Sequence, residues 1–394
     1  MNIFAERIRG TVAAPPSKSA LHRRLILNRI AGRCDMPENA CDDILATATC
    51  LSRLGTVLPL NCGDCGATLR FLLPVSLLFG GAVLTGSDAL AARPIAPLLQ
   101  VLREHGALVD RDRLPLRVGG TLKSGTYALD GNISSQFFSA LLLTLPFLDG
   151  DSTLYWTTPL ESEGYVRLTE RMLFEHDVRV TRIENGYQIP GGQRARIVDA
   201  PVEGDWSSSA AMLTLGAIAG SVTVTGLRQD SRQPDRHILE ILEQCGAQVD
   251  ATDTAVTVRR SMLRGFKCNG SIAPDLVPVL AALGCASEGE SVLYRLERLR
   301  YKESNRFEAI CSLLDAVGAD YETERSDTIV IHGCGCVRGG RVDVPNDHRM
   351  AMAAALLGAC AATPIQLTQT DSVRKSYPTF WRDFIALGGT VDAI

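Results

Sequence analysis

Residues 346–362 read NDHRMAMAAALLGACAA, a polar opening that runs into a helix-forming stretch with almost no polar residue. A helix that is apolar nearly all round is a buried helix. This phrase occurs six times along the chain. Its other copies are SKSALHRRLILNRIAG (17–32), DCGATLRFLLPVSLLF (64–79), ISSQFFSALLLTLPFL (133–148), GDWSSSAAMLTLGAIAG (204–220) and PDLVPVLAALGCAS (274–287). Short β-like runs such as GAVLTG, SVTVTG and PIQLTQ follow these helices.

A second phrase, a helix end followed by a turn residue and a strand, recurs in step with the first. A glycine there supplies the left-handed residue that ends a helix. After a shorter first interval, the period is roughly 70 residues, which marks a repeat architecture. We therefore predict six α/β repeats, the first one shortened, and no single doubly wound sheet. The turn residues are Gly55, Gly106, Asp177, Gly246, Gly318 and Gly389.

The composition is that of an ordinary globular chain with enough residues for two or more domains. The 394 residues are 46% hydrophobic and 21% charged, with a formal net charge of -4. This small charge gives no sign of a nucleic-acid or membrane surface. The N-terminal residues MNIFAERIRG contain no apolar signal region, so we expect a cytoplasmic protein. We expect no nucleic-acid or membrane partner.

Twelve cysteines are scattered along the chain. Cys62 and Cys65 form a CxxC pair, and Cys334 and Cys336 form a CxC pair. Four such sulfurs can bind zinc. The two pairs lie far apart in the sequence, so ordinary thiols in loops are the favoured interpretation, and we predict no metal site.

Cations stand at several of the predicted helix starts, where hydroxyl or amide caps alone would be ordinary. A positive charge beside the positive end of a helix dipole is unfavourable unless an anion is shared between the two. Further cations precede the glycine-capped helices at matching points of different repeats. The set predicts a site for a small polyanion. It comprises Lys18, Arg23, Arg70 and Arg349 at helix starts, and Arg93, Lys302, Arg306 and Lys375 in loops.

Two carboxylates accompany these cations. Glu303 follows Lys302 in a polar turn, and Asp275 opens an apolar helix directly after a proline. A cap is an equally good interpretation of Asp275. The sequence has no nucleophilic triad, phosphate-binding Walker loop or dinucleotide fingerprint. Lysine, glutamate and aspartate around bound anions indicate general acid–base catalysis.

Several of these motifs resemble those of the 5-enolpyruvylshikimate-3-phosphate (EPSP) synthases, within the enolpyruvyl transferase family. The similarity spans about residues 8–387, and its motifs are SKSALHR, SSQF, RYKESNR, NDHRMAM, Arg-Pro-Ile at 93–95 and Lys-Ser-Tyr-Pro at 375–378. It implies a two-domain inside-out α/β barrel with six βαβαββ units, three in each domain. It also implies a discontinuous domain of residues 1–15 and 205–394, and an inserted domain of residues 16–204.

The resemblance implies transfer of the enolpyruvyl group of phosphoenolpyruvate to the 5-hydroxyl of shikimate 3-phosphate. Phosphate is released by addition and elimination, without a cofactor or metal. The partners would be the two small-molecule substrates, and we expect a monomer. In this reaction the hydroxyl must lose a proton while the methylene carbon gains one, so an acid and a base are both needed.

Carried over residue by residue, the resemblance assigns catalysis to Lys18, Asp275, Glu303, His348 and Lys375. Asp275 would deprotonate the 5-hydroxyl with help from Lys18, Glu303 would protonate the methylene carbon, and Tyr165 would line the shikimate 3-phosphate side. Shikimate 3-phosphate would contact Lys18, Ser19, Arg23, Ser134, Ser135, Gln136, Ser162, Asp275 and Lys302. Phosphoenolpyruvate would contact Lys18, Gly66, Arg93, Gln136, Arg306, Arg349 and Lys375.

One loop departs from the pattern Asn-x-Gly-Thr of the resembled family. Here the residues are Asp64, Cys65, Gly66 and Ala67. A carboxylate at position 64 and the loss of a hydroxyl at position 67 predict weakened phosphoenolpyruvate binding, unless Asp64 pairs with Arg70 or Arg93. Arg298 is a candidate for an extra contact to shikimate 3-phosphate.

Two alternatives remain open. One is UDP-N-acetylglucosamine enolpyruvyl transferase, although Lys18-Ser19-Ala20 replaces its Lys-Asn-Ala. The other is a non-catalytic relative that binds a phosphorylated metabolite.

Overall fold

The computed structural model describes residues 1–5, 7–325 and 327–392. The chain divides into two compact units. The terminal unit comprises residues 1–17 and 203–394, and the inserted unit comprises residues 18–202. Each unit has its own hydrophobic core.

The helices of the described residues fall into two kinds, buried and partly exposed, which alternate along most of the chain. Their bounds are α1 (Lys18–Ile30), α2 (Asp42–Arg53), α3 (Gly66–Val75), α4 (Asp88–Ala91), α5 (Ala96–Glu104), α6 (Ser135–Leu142), α7 (Glu163–Glu175), α8 (Trp206–Ala219), α9 (Ile238–Gln244), α10 (Val277–Ala286), α11 (Arg306–Val317), α12 (His348–Leu357) and α13 (Phe380–Ala386).

The strands are short. Their bounds are β1 (Asn2–Phe4), β2 (Ile8–Ala13), β3 (Leu60–Asn61), β4 (Ala82–Thr85), β5 (Ala107–Val109), β6 (Leu116–Gly120), β7 (Thr126–Leu129), β8 (Ser152–Trp156), β9 (Thr181–Ile183), β10 (Gly186–Ile189), β11 (Gly220–Thr225), β12 (Gln248–Ala251), β13 (Ala255–Arg259), β14 (Lys267–Asn269), β15 (Glu288–Tyr294), β16 (Tyr321–Glu324), β17 (Thr328–Cys334), β18 (Gly340–Val342), β19 (Ile365–Leu367) and β20 (Thr390–Asp392).

Within the described residues, the strands form five four-stranded sheets that share one pattern. In each sheet an edge strand pairs in parallel with its neighbour, and the remaining two pairings are antiparallel. In the inserted unit the orders are β3-β4-β6-β5 and β7-β8-β10-β9. The terminal unit contains β14-β15-β17-β16, β12-β13-β11-β2 and β18-β19-β1-β20.

The chain termini complete two of these sheets. β2 pairs in parallel with β11, and β1 lies between β19 and β20. The predicted repeats therefore exist, and a four-stranded sheet accompanies five of them. The first, shortened copy consists of α1 and α2, with no strand of its own in the described residues 18–59.

The helices that open with a polar cluster are buried, as the sequence predicts. Every residue of α8 and α12 is buried, and so are residues 277–285 of α10. These three helices pack against one another at the centre of the terminal unit. In the inserted unit α3 packs against α6, α6 against α7, and α7 against α1. Because these helices are packed on all sides, the polar residues at their starts have fixed positions.

The predicted left-handed turn residues are confirmed in five repeats. Gly55, Gly106, Asp177, Gly246 and Gly318 have φ angles of 82°, 97°, 63°, 90° and 68°. Asp is one of the few residues with a side chain that tolerate this conformation. In the last repeat the prediction was wrong by one residue, because Gly388 and not Gly389 has the positive φ of 105°. No helix in the described part of the chain has the length and apolar character needed to cross a membrane.

Candidate active site

Arg306 is the centre of a charged cluster in the terminal unit. Its guanidinium donates to Asp347 Oδ2 at 2.8 Å, to Asp275 Oδ1 at 2.7 Å and to Glu303 Oε2 at 2.7 Å. The side chain is only 1% exposed. Burial alone would lower the pKa of Arg306, but the three carboxylates outweigh it and raise the pKa well above its usual value. Arg306 therefore stays charged and ties together both predicted catalytic carboxylates.

Asp347 holds the start of α12 in place. Its Oδ1 accepts the backbone N–H of Arg349 at 3.0 Å, which makes it the N-cap of α12. The same carboxylate accepts from Ser304 Oγ at 3.0 Å and from two nitrogens of Arg306. One buried carboxylate thus links the RYKESNR turn to the NDHRMAM helix start.

The side chain of Arg349 is almost wholly buried, with an exposure of 2%. Its Nε and Nη1 atoms have no hydrogen-bond partner among the described residues. A buried guanidinium with unpaired N–H groups at a helix N-terminus is a strong binding site for an anion. Nearby, Lys375 donates to the backbone oxygen of Asn346 at 2.9 Å, and His348 is buried with an exposure of 2%.

Lys302 also belongs to this cluster and donates to Asp275 Oδ1 at 3.1 Å. Burial lowers the pKa of Lys302, and Asp275 partly opposes this effect. Arg298 lies close enough to lower this pKa further. Lys302 and Arg306 therefore form one cluster with three carboxylates, and Arg349 and Lys375 lie at the adjoining start of α12. Together these residues can bind an anion and transfer protons.

A second set of predicted residues lies at the helix starts of the inserted unit. Lys18 at the start of α1 donates to Asp43 Oδ2 in the first turn of α2 at 2.7 Å. Arg23, further along α1, is buried with an exposure of 2%. It donates to the backbone oxygens of Ser19 and Tyr165 and to two hydroxyl groups. Burial lowers the pKa of Arg23 to about 9.

Gly66 is needed for the close approach of Arg93. A Cβ atom at position 66 would lie 2.5 Å from Arg93 Nη1, closer than real contacts allow. Beside them, Arg70 donates to Gln136 Oε1 at 2.6 Å and to the backbone oxygen of Pro94 at 3.1 Å. Four residues predicted to bind anions therefore lie together around the starts of α3 and α6, namely Gly66, Arg70, Arg93 and Gln136.

The remaining predicted residues of this unit sit at the starts of α6 and α7. Ser134 is the N-cap of α6, where its Oγ accepts the N–H of Gln136 at 3.3 Å, and Ser135 is buried beside it. Ser162 precedes α7 in a left-handed conformation with φ of 51°. Non-glycine residues rarely adopt this conformation, and they cluster at functional sites. Tyr165, in the first turn of α7, is half-buried.

Two functional partners were missed by the sequence analysis. Asp43 pairs with Lys18, yet it lies 25 residues away in the chain and only the packing of α2 on α1 brings them together. Asp347 was assigned no role in the site, although it caps α12 and neutralises Arg306. A signal existed for Asp347, because it directly precedes two basic residues in a buried helix start.

Comparisons with known proteins agree with this picture. A family model described as EPSP synthase (3-phosphoshikimate 1-carboxyvinyltransferase) matches residues 56–384. A 3-phosphoshikimate 1-carboxyvinyltransferase of Clostridium kluyveri is 36% identical, over 100% of this chain and 98% of the relative. One from Clostridium perfringens is 34% identical, over 98% of both chains.

Solved structures show a similar fold. An EPSP synthase from Acinetobacter baumannii superposes with a TM-score of 0.80 at 24% identity, covering 100% of this chain and 99% of that one. The enolpyruvyl transferase NikO from Streptomyces tendae gives a TM-score of 0.76 at 18% identity, covering 99% and 97%. These similarities confirm the predicted two-domain inside-out α/β fold.

Proposed function

The chain belongs to the EPSP synthase family, and we propose that it transfers the enolpyruvyl group of phosphoenolpyruvate to the 5-hydroxyl of shikimate 3-phosphate. The single observation that carries the proposal beyond the family assignment is the cluster around Arg306. It joins a candidate base, Asp275, to a candidate acid, Glu303, through one buried cation. An addition–elimination reaction needs both groups in defined positions.

In the addition step, Asp275 accepts the proton of the 5-hydroxyl as its oxygen bonds to C2 of phosphoenolpyruvate. Glu303 supplies a proton to the methylene carbon, which becomes a methyl group. In the elimination step, the methyl group returns a proton to the Glu303 carboxylate. The bond from C2 to the phosphate oxygen breaks. The phosphate leaves with the electron pair and takes up the proton that Asp275 holds, so Asp275 is again a carboxylate. No oxidant, reductant or cofactor is needed for this balance.

Glu303 must be protonated to act as the acid, yet in the structure it accepts a hydrogen bond from Arg306 at 2.7 Å. A carboxylate or phosphate of phosphoenolpyruvate competes with Glu303 for this guanidinium. Substrate binding then releases Glu303 from its ion pair, and the freed carboxyl takes up a proton. Arg349 supports this assignment, because its two unpaired nitrogens supply a further anion contact. Lys375 and His348 complete the proposed phosphoenolpyruvate side of the terminal unit.

In the inserted unit we assign shikimate 3-phosphate to Ser19, Ser134, Ser135, Gln136 and Ser162. We assign Arg23 a positioning role for these residues, since all its observed hydrogen bonds go to protein oxygens. Lys18, Gly66 and Arg93 are assigned to phosphoenolpyruvate. Asp275 and Lys302 of the terminal unit are assigned to shikimate 3-phosphate.

The deciding experiment is a coupled phosphate-release assay with shikimate 3-phosphate and phosphoenolpyruvate. Phosphate release that depends on both substrates supports the proposal. Glu303→Gln should reduce turnover by at least about 100-fold, the size of a general acid's contribution. It should still bind shikimate 3-phosphate in a calorimetric titration. Unchanged turnover of this variant would refute the acid role of Glu303.

The same assay separates the two alternative functions, which no observation favours. Phosphate release with UDP-N-acetylglucosamine in place of shikimate 3-phosphate would indicate the other transferase. Binding of shikimate 3-phosphate without any phosphate release would indicate a non-catalytic relative. Monomeric state and cytoplasmic location stay proposals, and sedimentation velocity and cell fractionation test them.

A further inference from the structure

A second group of chemically active side chains lies in the inserted unit, at the junction of three helices. His22 is on α1, Asp43 is in the first turn of α2, and Cys65 is the N-cap of α3. One ligand atom of each lies within 4.8 Å of the others. All three residues are buried, with exposures of 1%, 8% and 3%. Nothing in the proposed reaction uses His22 or Cys65.

The donor set and its spacing fit zinc. An imidazole nitrogen, a thiolate sulfur and a carboxylate oxygen are the three kinds of protein ligand that zinc takes. Tetrahedral zinc, with bonds of ~2.0 Å to nitrogen and ~2.3 Å to sulfur, places those two atoms about 3.5 Å apart. Here His22 Nε2 and Cys65 Sγ are 3.8 Å apart. The imidazole and the thiol therefore need to approach by only a few tenths of an ångström. The Asp43 oxygen lies within 4.8 Å of both and has to rotate towards them.

Neighbouring hydroxyl groups already orient the ligands. His22 Nδ1 bonds to Thr47 Oγ1 at 2.8 Å, and Thr47 donates to the backbone oxygen of Asp43 at 3.2 Å. When Nδ1 is the donor, the Nε2 lone pair points at the sulfur. Cys65 Sγ in turn accepts the N–H of Thr68 at 3.4 Å. Such outer hydrogen bonds are a regular feature of metal-binding histidines.

Burial, followed by the charges of Lys18 and Arg23, lowers the pKa of His22 well below 6.5, so its imidazole is neutral. Burial raises the pKa of the Cys65 thiol to about 12. A metal ion therefore has to displace the thiol proton, as zinc does in other proteins.

We propose that His22, Asp43 and Cys65 form a binding site for Zn²⁺ or a similar thiophilic dication, with a fourth position left for water or an anion. Hard ions such as Mg²⁺ are excluded because they prefer six oxygen ligands. Zn²⁺ with one thiolate and one carboxylate has no net charge, which makes its burial tolerable. Three protein ligands and one open position are the arrangement of non-structural zinc sites.

Occupation of this site should inhibit turnover. Lys18 donates to the same Asp43 carboxylate at 2.7 Å, so a dication on Asp43 repels the Lys18 ammonium and competes for its partner. This consequence rests on the proposed role of Lys18 in substrate binding, whereas the binding of zinc does not. Zinc would then act as an inhibitor that controls the activity.

The test must separate this site from other thiols. Cys334 and Cys336 are exposed and their sulfurs are 3.8 Å apart, so they also attract zinc. We would therefore use Cys334→Ser/Cys336→Ser as the parent protein. Zinc is titrated into the metal-free parent against a chromophoric chelator of known affinity. Cobalt serves as a spectroscopic probe, because a thiolate ligand gives a charge-transfer band in the near ultraviolet.

The parent should bind one equivalent of zinc, and Cys65→Ala in the same background should bind it at least about 100-fold more weakly. The cobalt–thiolate band should vanish with Cys65. Thr47→Val keeps all three ligands and should weaken binding about 10-fold, since only the outer hydrogen bond is lost. Circular dichroism checks that each variant is folded. Equal zinc affinity of the parent and Cys65→Ala, or no cobalt–thiolate band in the parent, would overturn the site.

The inhibition is tested separately, by phosphate release with and without zinc. One equivalent of zinc should inhibit the parent, and Cys65→Ala should need at least about 100-fold more zinc for the same effect. Stoichiometric zinc binding without inhibition would overturn the regulatory part alone. If the metal-free parent releases no phosphate at all, the proposed reaction fails while the binding measurements still decide the zinc site.

Discussion

Replacement of Asp347 by alanine tests how the charged cluster of the terminal unit is held together. The carboxylate is fully buried and accepts from Arg306 Nε and Nη2 at 2.8 and 3.2 Å. It also accepts from Ser304 Oγ and from the N–H of Arg349, both at 3.0 Å. Asp347→Ala removes all four hydrogen bonds and leaves a buried guanidinium with one carboxylate fewer.

The expected loss of stability follows from two contributions. Removing one partner of a buried ion pair costs ~3–5 kcal/mol. The lower end applies because Asp275 and Glu303 still neutralise Arg306. Loss of the N-cap of α12 adds about 1 kcal/mol. The free energy of unfolding of the terminal unit should therefore fall by about 4 kcal/mol.

Urea unfolding followed by tryptophan fluorescence measures this change. Trp206 and Trp381 lie in the terminal unit and Trp156 in the inserted unit, so a Trp156→Phe background reports the terminal unit alone. With a slope of ~2 kcal/mol per molar urea, the midpoint should fall by about 2 M. Asp347→Asn keeps an oxygen at the cap but places an amide NH2 group where Oδ2 accepts from Arg306 and Ser304. It should therefore lose about 3 kcal/mol, the cost of the broken ion pair without that of the cap.

Asp343→Ala is the matched control. Asp343 pairs with Arg341 in the same unit, but its side chain is 61% exposed. Exposed pairs contribute little, so the midpoint should not change measurably. If Asp347→Ala lowers the free energy of unfolding by less than about 1 kcal/mol, Arg306 does not depend on Asp347 and the reasoning is wrong.

Three further predictions concern the inserted unit. Gly66→Ala displaces the guanidinium of Arg93, so the KM for phosphoenolpyruvate should rise about 10-fold while the melting temperature changes little, because a flexible side chain can move. Asp64→Asn combined with Ala67→Thr restores the usual loop and should lower the same KM about 10-fold in steady-state kinetics. Burial above all lowers the pKa of His176 below 6.5, so stability present above pH 6.5 is lost as the pH falls through the folded-state pKa. His176→Gln should flatten this acid limb in urea unfolding below about pH 6.5.

Each of these predictions has a control or a refuting result. Gly119→Ala adds a methyl group in open space and should leave KM unchanged. An ordinary KM in the unaltered protein, unchanged by the Asp64 and Ala67 substitutions, would refute a weakened loop. His105→Gln is the control for His176→Gln. It removes an imidazole from the C-cap of α5, the position that His176 holds at the end of α7. If the acid limb of His176→Gln matches that of the parent, buried His176 does not cause the acid instability.

Much of the fold was predictable because the repeat recurs in the hydrophobic pattern. Helices such as α8 and α12 are buried on every side, as expected of stretches that are almost wholly apolar after a polar first turn. The turn residues were predictable within one position, since Gly388 and Gly389 are neighbours and the pattern cannot choose between them. The sequence predicted that the first repeat is shorter than the others. It did not predict that this repeat lacks a sheet, because strands pair with residues that are distant in the chain.

For the site, local motifs identified Arg306, Arg349, Asp275 and Glu303, because charged residues are conspicuous beside the starts of helices with apolar stretches. The tertiary structure alone decided which charges neutralise one another. It placed three carboxylates on Arg306, and it left two nitrogens of Arg349 without a partner among the described residues. Side chains that meet across separate elements depend on packing, which no local spacing records. His22, Asp43 and Cys65 are the clearest case, because three helix starts meet there without any common motif.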